Sequence, residues 1–115
     1  MLISIDPTLP RALHEQIASA IRRQIVDGQL AEGERLPPAE EIARALQVNV
    51  NTVLRALRAL REDELLAFRR GRGVTVARRA GDRGAVVEQA RRLLELAAEH
   101  GYSLREVTTL LEAQR

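Results

Sequence analysis

The segment Leu36 to Arg58, LPPAEEIARALQVNVNTVLRALR, gathers amide and guanidinium side chains at the start of one helical repeat. Asn51, Thr52 and Arg55 fall on the side of that repeat away from Val53, Leu57 and Leu60, so the apolar side can be buried while the polar side stays free. Those side chains suit base edges: Asn can pair two-pronged with adenine, and Arg with guanine. Asn49 has a second use, because a side-chain oxygen just before a helix accepts from unpaired backbone N–H groups. Arg58, one turn on, is set either to meet a phosphate or to pair with Glu62 at i,i+4. A second basic group is Arg69-Arg70-Gly71-Arg72-Gly73. Here Gly71 permits close backbone approach while Arg70 and Arg72 carry the charge that a narrow minor groove attracts; the bland alternative is a solvated loop tip. Arg35 is set either to meet a phosphate or to neutralise Glu32 or Glu34.

Other chemistries find little support. His14 and His100 stand apart from any Asp, Glu or His at metal-ligand spacing, so no metal is expected. Ser4, Ser19 and Ser103 lack a nucleophile motif, and Gly71-x-Gly73 does not complete a dinucleotide fingerprint. The expectation is a protein that is not an enzyme and needs no cofactor.

The elements that must position these groups follow from local patterns. Leu13, Ile17, Ile21 and Ile25 recur every fourth residue, predicting a helix over about 11–27 that Gly28 stops. Residues 29–38 read as an extended connector ending at Pro37-Pro38, where the second proline can open a helix over about 39–46. Only Gln47-Val48-Asn49 separates it from a helix over about 50–63. So short a link forces a sharp crossing, with Val48 as the plug. Leu65–Arg69 and Val74–Ala77 are β-prone and flank a glycine-containing reversal, predicting a hairpin. Three helices and a hairpin make a winged helix-turn-helix. Leu2 to Ile5 is β-prone and runs into a proline-rich lead-in arm.

Arg78 to Gly84 reads as a basic hinge, with a domain boundary near residue 80. Beyond it, a helix over about 85–100 carries Val86, Val87, Ala90, Leu93, Leu94 and Ala97, and Gly101 ends it. Ser103 and Glu106 have capping-box spacing for a last helix with Leu104, Val107, Leu110 and Leu111 expected buried. Two short amphipathic helices cannot cover both stripes alone, which points to a second copy of the chain and an isologous dimer.

Composition bounds the rest. The 115 residues are 45% apolar, with one Phe, one Tyr, no Trp and no Cys, so an aliphatic core of packed helices is expected and disulfide or thiolate chemistry is excluded. The 18 cations are all Arg. Residues 1–80 carry a net positive charge and 81–115 a slight net negative one, which places any polyanion on the first part. No apolar run approaches a bilayer span and no signal-peptide order opens the chain, so a cytoplasmic location without membrane contact is expected.

Over about residues 9–77 the chain resembles the winged-helix domain of the GntR family of bacterial transcription regulators. The resemblance rests on Gln16-Ile17, then Gly28, Leu30, Gly33 and Arg35-Leu36-Pro37, on the Thr52-Val53, Ala56-Leu57 and Leu60 helix, and on the Arg69 to Gly73 wing. The Asn49-x-Asn51-Thr52-Val53 run and the short two-helix C-terminal part are similar to the YtrA subfamily. The resemblance implies a homodimeric repressor on a palindromic double-stranded DNA operator, dimerising through residues 85–115; the residues leave open whether a small-molecule effector acts on it. Pro38 stands where the family often has a capping Ser, Glu40 where relatives commonly have a DNA-contacting Arg, and Gln47 and Glu64 where glycines usually allow positive φ; Val50 takes a place often held by Pro or Arg. The expected architecture is therefore mainly α with a small β-hairpin, 1–80 for DNA and 81–115 for dimerisation. The expected DNA contacts are Arg35, Asn49, Asn51, Thr52, Arg55, Arg58, Arg70, Gly71 and Arg72. The competing readings are a protein-binding winged helix and a nonspecific architectural DNA binder.

Overall fold

The every-fourth-residue isoleucines build the first element. α1 (Leu13–Val26) buries Ile17, Ile21 and Ile25 along one side, because side chains four apart stack on one helical face. Leu13, the expected fourth member, is half-buried. In this computed structural model, which describes residues 1–115, Gly28 sits at φ +81° just past the helix end, a conformation open to a residue without Cβ. α2 (Ala39–Leu46) and α3 (Val50–Glu62) then pack with α1 around Ile42, Ala43, Val53, Ala56, Leu57 and Leu60. Pro38 precedes α2 as its cap residue and is not its first helical residue; its carbonyl accepts from Glu41 and Ile42.

β1 (Leu66–Arg69) pairs antiparallel with β2 (Gly73–Val76), Leu66 opposite Val76 and Arg69 opposite Gly73. The strands lie within one residue of their expected bounds. The connector does more than link. Gly33 donates to Val76 O at 2.9 Å, Val76 to Glu34 O at 2.9 Å and Leu36 to Val74 O at 2.8 Å, so this backbone lies along the outer side of β2 and covers an edge that would otherwise be unpaired.

The N-terminal arm forms no strand, contrary to its β-prone composition. Side chains pin it instead. The buried Gln16 accepts from Asp6 N at 2.8 Å and donates to the carbonyls of Asp6 and Arg11, each at 3.0 Å, while Gln24 donates to the Leu2 carbonyl. Ile3 and Ile5 rest on the core.

The segment 78–84, read as a basic hinge, is helical from Ala80 onward. α4 (Ala80–Glu99) begins where that hinge was placed, and Ala80 is buried. Gly81 and Gly84 lie inside the helix, where their missing Cβ atoms serve close packing: a Cβ on Gly84 would stand 3.0 Å from Val26 Cγ2 and 3.5 Å from Leu65 Cδ2. α5 (Leu104–Ala113) opens on the expected capping box, with Glu106 N donating to Ser103 Oγ and Ser103 N to Glu106 Oε1, each at 3.1 Å.

Residues 1–84 and 85–115 form two compact units. In the second, Ala97 and Val107 are the buried apolar residues. Leu104, Leu110 and Leu111, expected to be buried with Val107, are exposed at 68%, 50% and 53%, because two short helices offer each other only one line of contact.

Candidate nucleic-acid interface

The link between α2 and α3 sets the first part of the site. Gln47 ends α2 at φ 57°, ψ 46°, left-handed values that cost an ordinary side chain something where a glycine would take them freely. Its reward is a reversal tight enough for Val48 N to donate back to Ala43 O at 3.0 Å. Asn49 then caps α3: its Oδ1 accepts from Asn51 N at 2.8 Å. The cap occupies that oxygen, leaving the Asn49 amide nitrogen for other work.

From this cap the helix separates its two sides. Val53, Ala56, Leu57 and Leu60 are buried; Asn51, Arg55 and Arg58 are exposed and Thr52 is half-buried. The amide and guanidinium groups therefore stand free on the first three turns of a helix whose other side is fixed in the core. That is the arrangement by which a helix presents its N-terminal residues to base edges in a major groove.

The second part of the site is the hairpin. Arg70, Gly71 and Arg72 form its exposed tip, closed by Arg72 N donating to Arg69 O at 3.0 Å. Gly71 at φ +81° and Gly73 at φ +74° make the turn possible. Arg35 joins this hairpin through its bridge with Thr75. Its guanidinium lies over Gly73, where an added Cβ would stand 3.6 Å from Nε. So Arg35, Arg70 and Arg72 all belong to one basic wing. Arg35 and Gly73 are far apart in sequence, and only the extended reading of residues 29–38 hinted at a strand-like partner. Glu34 accepts from Ala31 N at 3.1 Å.

Two residues were not foreseen as they stand. Arg61 places its guanidinium 4.5 Å from the centre of the Phe68 ring, a cation–π contact that ties the end of α3 to β1. Glu40 is exposed in the first turn of α2 beside Glu41, in a helix without a side-chain cap. Negative charge there favours the helix dipole, which gives Glu40 a structural use. Elsewhere, His, Cys, Asp and Glu form no group of three able to hold a metal ion, and no helix is long and apolar enough to cross a membrane.

Residues 13–76 match the model for bacterial regulatory proteins of the gntR family. The chain belongs to the GntR family. The match runs from the start of α1 to the end of β2, so it covers both parts of the site. Among curated proteins, the chain is similar to the HTH-type transcriptional repressor YtrA of Bacillus subtilis, 30% identical over 79 residues, which are 69% of this chain and 61% of that one. This chain thus aligns with less than two thirds of that relative's length. Among solved structures, it resembles YtrA from Sulfolobus acidocaldarius, described as a GntR-family transcription factor, at 29% identity and a TM-score of 0.65, covering 82% of this chain and 99% of that one. A transcriptional antiterminator from Listeria monocytogenes EGD-e shares the fold over 99% of this chain and 90% of its own, at a TM-score of 0.68 and 23% identity.

Proposed function

We propose that this GntR-family chain is a sequence-specific DNA-binding transcription regulator, a homodimeric repressor that occupies a palindromic operator and blocks a promoter sterically. The observation that carries this is the free row of Asn51, Arg55 and Arg58 on α3, in the same unit as a wing bearing Arg35, Arg70 and Arg72. In this reading Asn51 and Arg55 read base edges, Arg58 and Arg35 meet phosphates, and Arg70, Gly71 and Arg72 lie along the adjacent minor groove. Asn49 acts first as a cap and donates to DNA only through its amide nitrogen; Thr52, half-buried, reaches a phosphate with its hydroxyl.

Residues 85–115 pair two copies. Their exposed Leu93, Leu96, Leu110 and Leu111 surround an apolar hollow of about 300 Å³ within the second unit, and covering such a face removes apolar surface from water. The similarity to the YtrA repressor of Bacillus subtilis supports repression, and the role calls for no chemical turnover. Selection of bound sequences from a random DNA pool tests the proposal. A palindrome bound more tightly than its scrambled version is the expected outcome; equal binding to both would sink it.

A further inference from the structure

Three residues join the reading helix to the wing. α3 ends at Glu62 and β1 begins at Leu66, so Asp63, Glu64 and Leu65 set how the polar row of α3 stands relative to the tip at Arg70 to Arg72. The core fixes the far end of this corner. Leu65 is fully buried, its N–H donates to Leu60 O and its carbonyl accepts from Ala77 N, each at 2.9 Å. The near end lies outside the core: Asp63 is half-buried and Glu64 exposed. Glu64 also holds φ +63°, a left-handed conformation that an ordinary side chain takes at a cost.

Charged side chains hold the near end instead. Arg83 of α4 donates through Nε to the Asp63 carbonyl and places Nη2 3.0 Å from Glu64 Oε2, so one guanidinium grips both residues. Its planar fork suits two acceptors at once. On the inner side, the buried guanidinium of Arg22 on α1 lies 3.6 Å from the Asp63 carboxylate. A carboxylate at the C-terminal end of a helix opposes the helix dipole; here two arginines offset it. The exposed Arg83–Glu64 pair adds little by itself, and the bond to a helix-terminal carbonyl, a group left over by the helix's own bonding, is the firmer part. Gly84 seats the clamp. An added Cβ there would stand 3.0 Å from Val26 Cγ2 and 3.5 Å from Leu65 Cδ2, so the turn of α4 that carries Arg83 rests directly on the corner. Arg61 over the Phe68 ring is a further tie across the same join, and all of these contacts lie within residues 1–84.

We propose that Arg83 is a positioning residue for DNA binding: by holding Asp63 and Glu64 it fixes the wing relative to α3, so that helix and wing engage one half-site together. This rests on the DNA-binding reading above and deepens it. Relaxation of Glu64 towards negative φ, the region an ordinary residue prefers, turns α3 and β1 relative to each other. The wing then loses its placement on the minor groove while α3 keeps its own on the major groove.

The test uses full-length protein, the palindrome selected from random DNA and one fixed salt concentration. Arg72→Ala and Arg55→Ala are each made in the natural chain, in Arg83→Met and in Arg83→Lys, and the factor of affinity lost is compared. In the natural chain Arg72→Ala should cost about tenfold. In Arg83→Met, which keeps the stem and removes the donors, the wing is already poorly placed, so the same change should cost about threefold or less, a coupling that a double-mutant cycle reads. Arg55→Ala should cost the same factor in every background to within about twofold, because the core holds α3. Arg83→Lys keeps the charge without the fork and should give an intermediate coupling; it decides the same question should the methionine variant not fold. Losses at positions 83 and 72 that simply multiply would mean a phosphate contact or a general loss of stability, and overturn the positioning role alone. A natural chain that prefers no palindrome, or loses nothing on Arg72→Ala, overturns the underlying reading and this role with it.

Discussion

The two units of this chain bury their apolar residues to very different degrees. In residues 1–84, Ile17, Ile21, Leu60 and Leu65 are fully enclosed; in residues 85–115, Leu93, Leu94 and Leu96 on α4 and Leu104, Leu110 and Leu111 on α5 keep between 37% and 68% of their surface. Both units are helical and both are rich in Leu and Ala, so composition does not separate them. Topology does: three helices and a hairpin can close around a centre, whereas two short helices have only one shared line. The first unit is built to stand alone and hold a reading surface rigidly. The second leaves most of its apolar face open.

Ending the chain after Gly84 should make the sharpest separation between them. The shortened protein should stay folded, sediment as a monomer, and bind the palindrome about 100-fold or more weakly, because it loses the advantage of linked half-sites. Unchanged affinity would mean that the C-terminal helices contribute nothing to operator binding.

A matched pair of leucines probes the same contrast within the intact chain. Leu60→Ala should cost about 2–5 kcal/mol of stability by opening a cavity in a closed core. Leu110→Ala should leave thermal melting of the first unit unchanged and instead raise the protein concentration needed for pairing. If both substitutions lower melting alike, residues 85–115 have a core of their own after all.

Within the first unit, Arg55→Ala should cost about 1–3 kcal/mol of specific affinity and relax preference at one base pair per half-site. Arg72→Ala should weaken binding to all sequences and reduce the slope of log affinity against log salt by about one. Equal losses on palindrome and scrambled DNA for Arg55→Ala would move that residue from base to phosphate.

Glu40→Gln should have the smallest effect, and a divided one. Removing its charge should lower stability by about 0.3–1 kcal/mol through the α2 dipole, while tightening DNA binding generally by removing a repulsive charge. Calorimetry and affinity at one fixed salt concentration read the two together. A loss of operator affinity would instead assign Glu40 to a cytosine amino group.

Much of this molecule was legible in the sequence because its signals are local. The isoleucine stripe of α1, the Asn49 cap, the Ser103–Glu106 capping box and the stops at Gly28 and Gly101 each act within a turn or two of chain, and each lies where the residues predicted. The departure from glycine at Gln47 and Glu64 was equally readable, and both residues take the positive φ that the turn demands. Tertiary structure decided the rest, for a common reason: the deciding partner is distant in sequence. Gly81 and Gly84 read as breakers because glycine disfavours a helix by about 1 kcal/mol locally, yet Ile25, Val26 and Leu65 make them the residues that let α4 approach. Arg35 reads as a loop charge until β2 draws its backbone to Thr75 and its guanidinium over Gly73. The leucines of α4 and α5 announce an apolar face, but burial depends on what lies opposite, and within residues 85–115 of one chain nothing but Ala97 and Val107 finds enough cover.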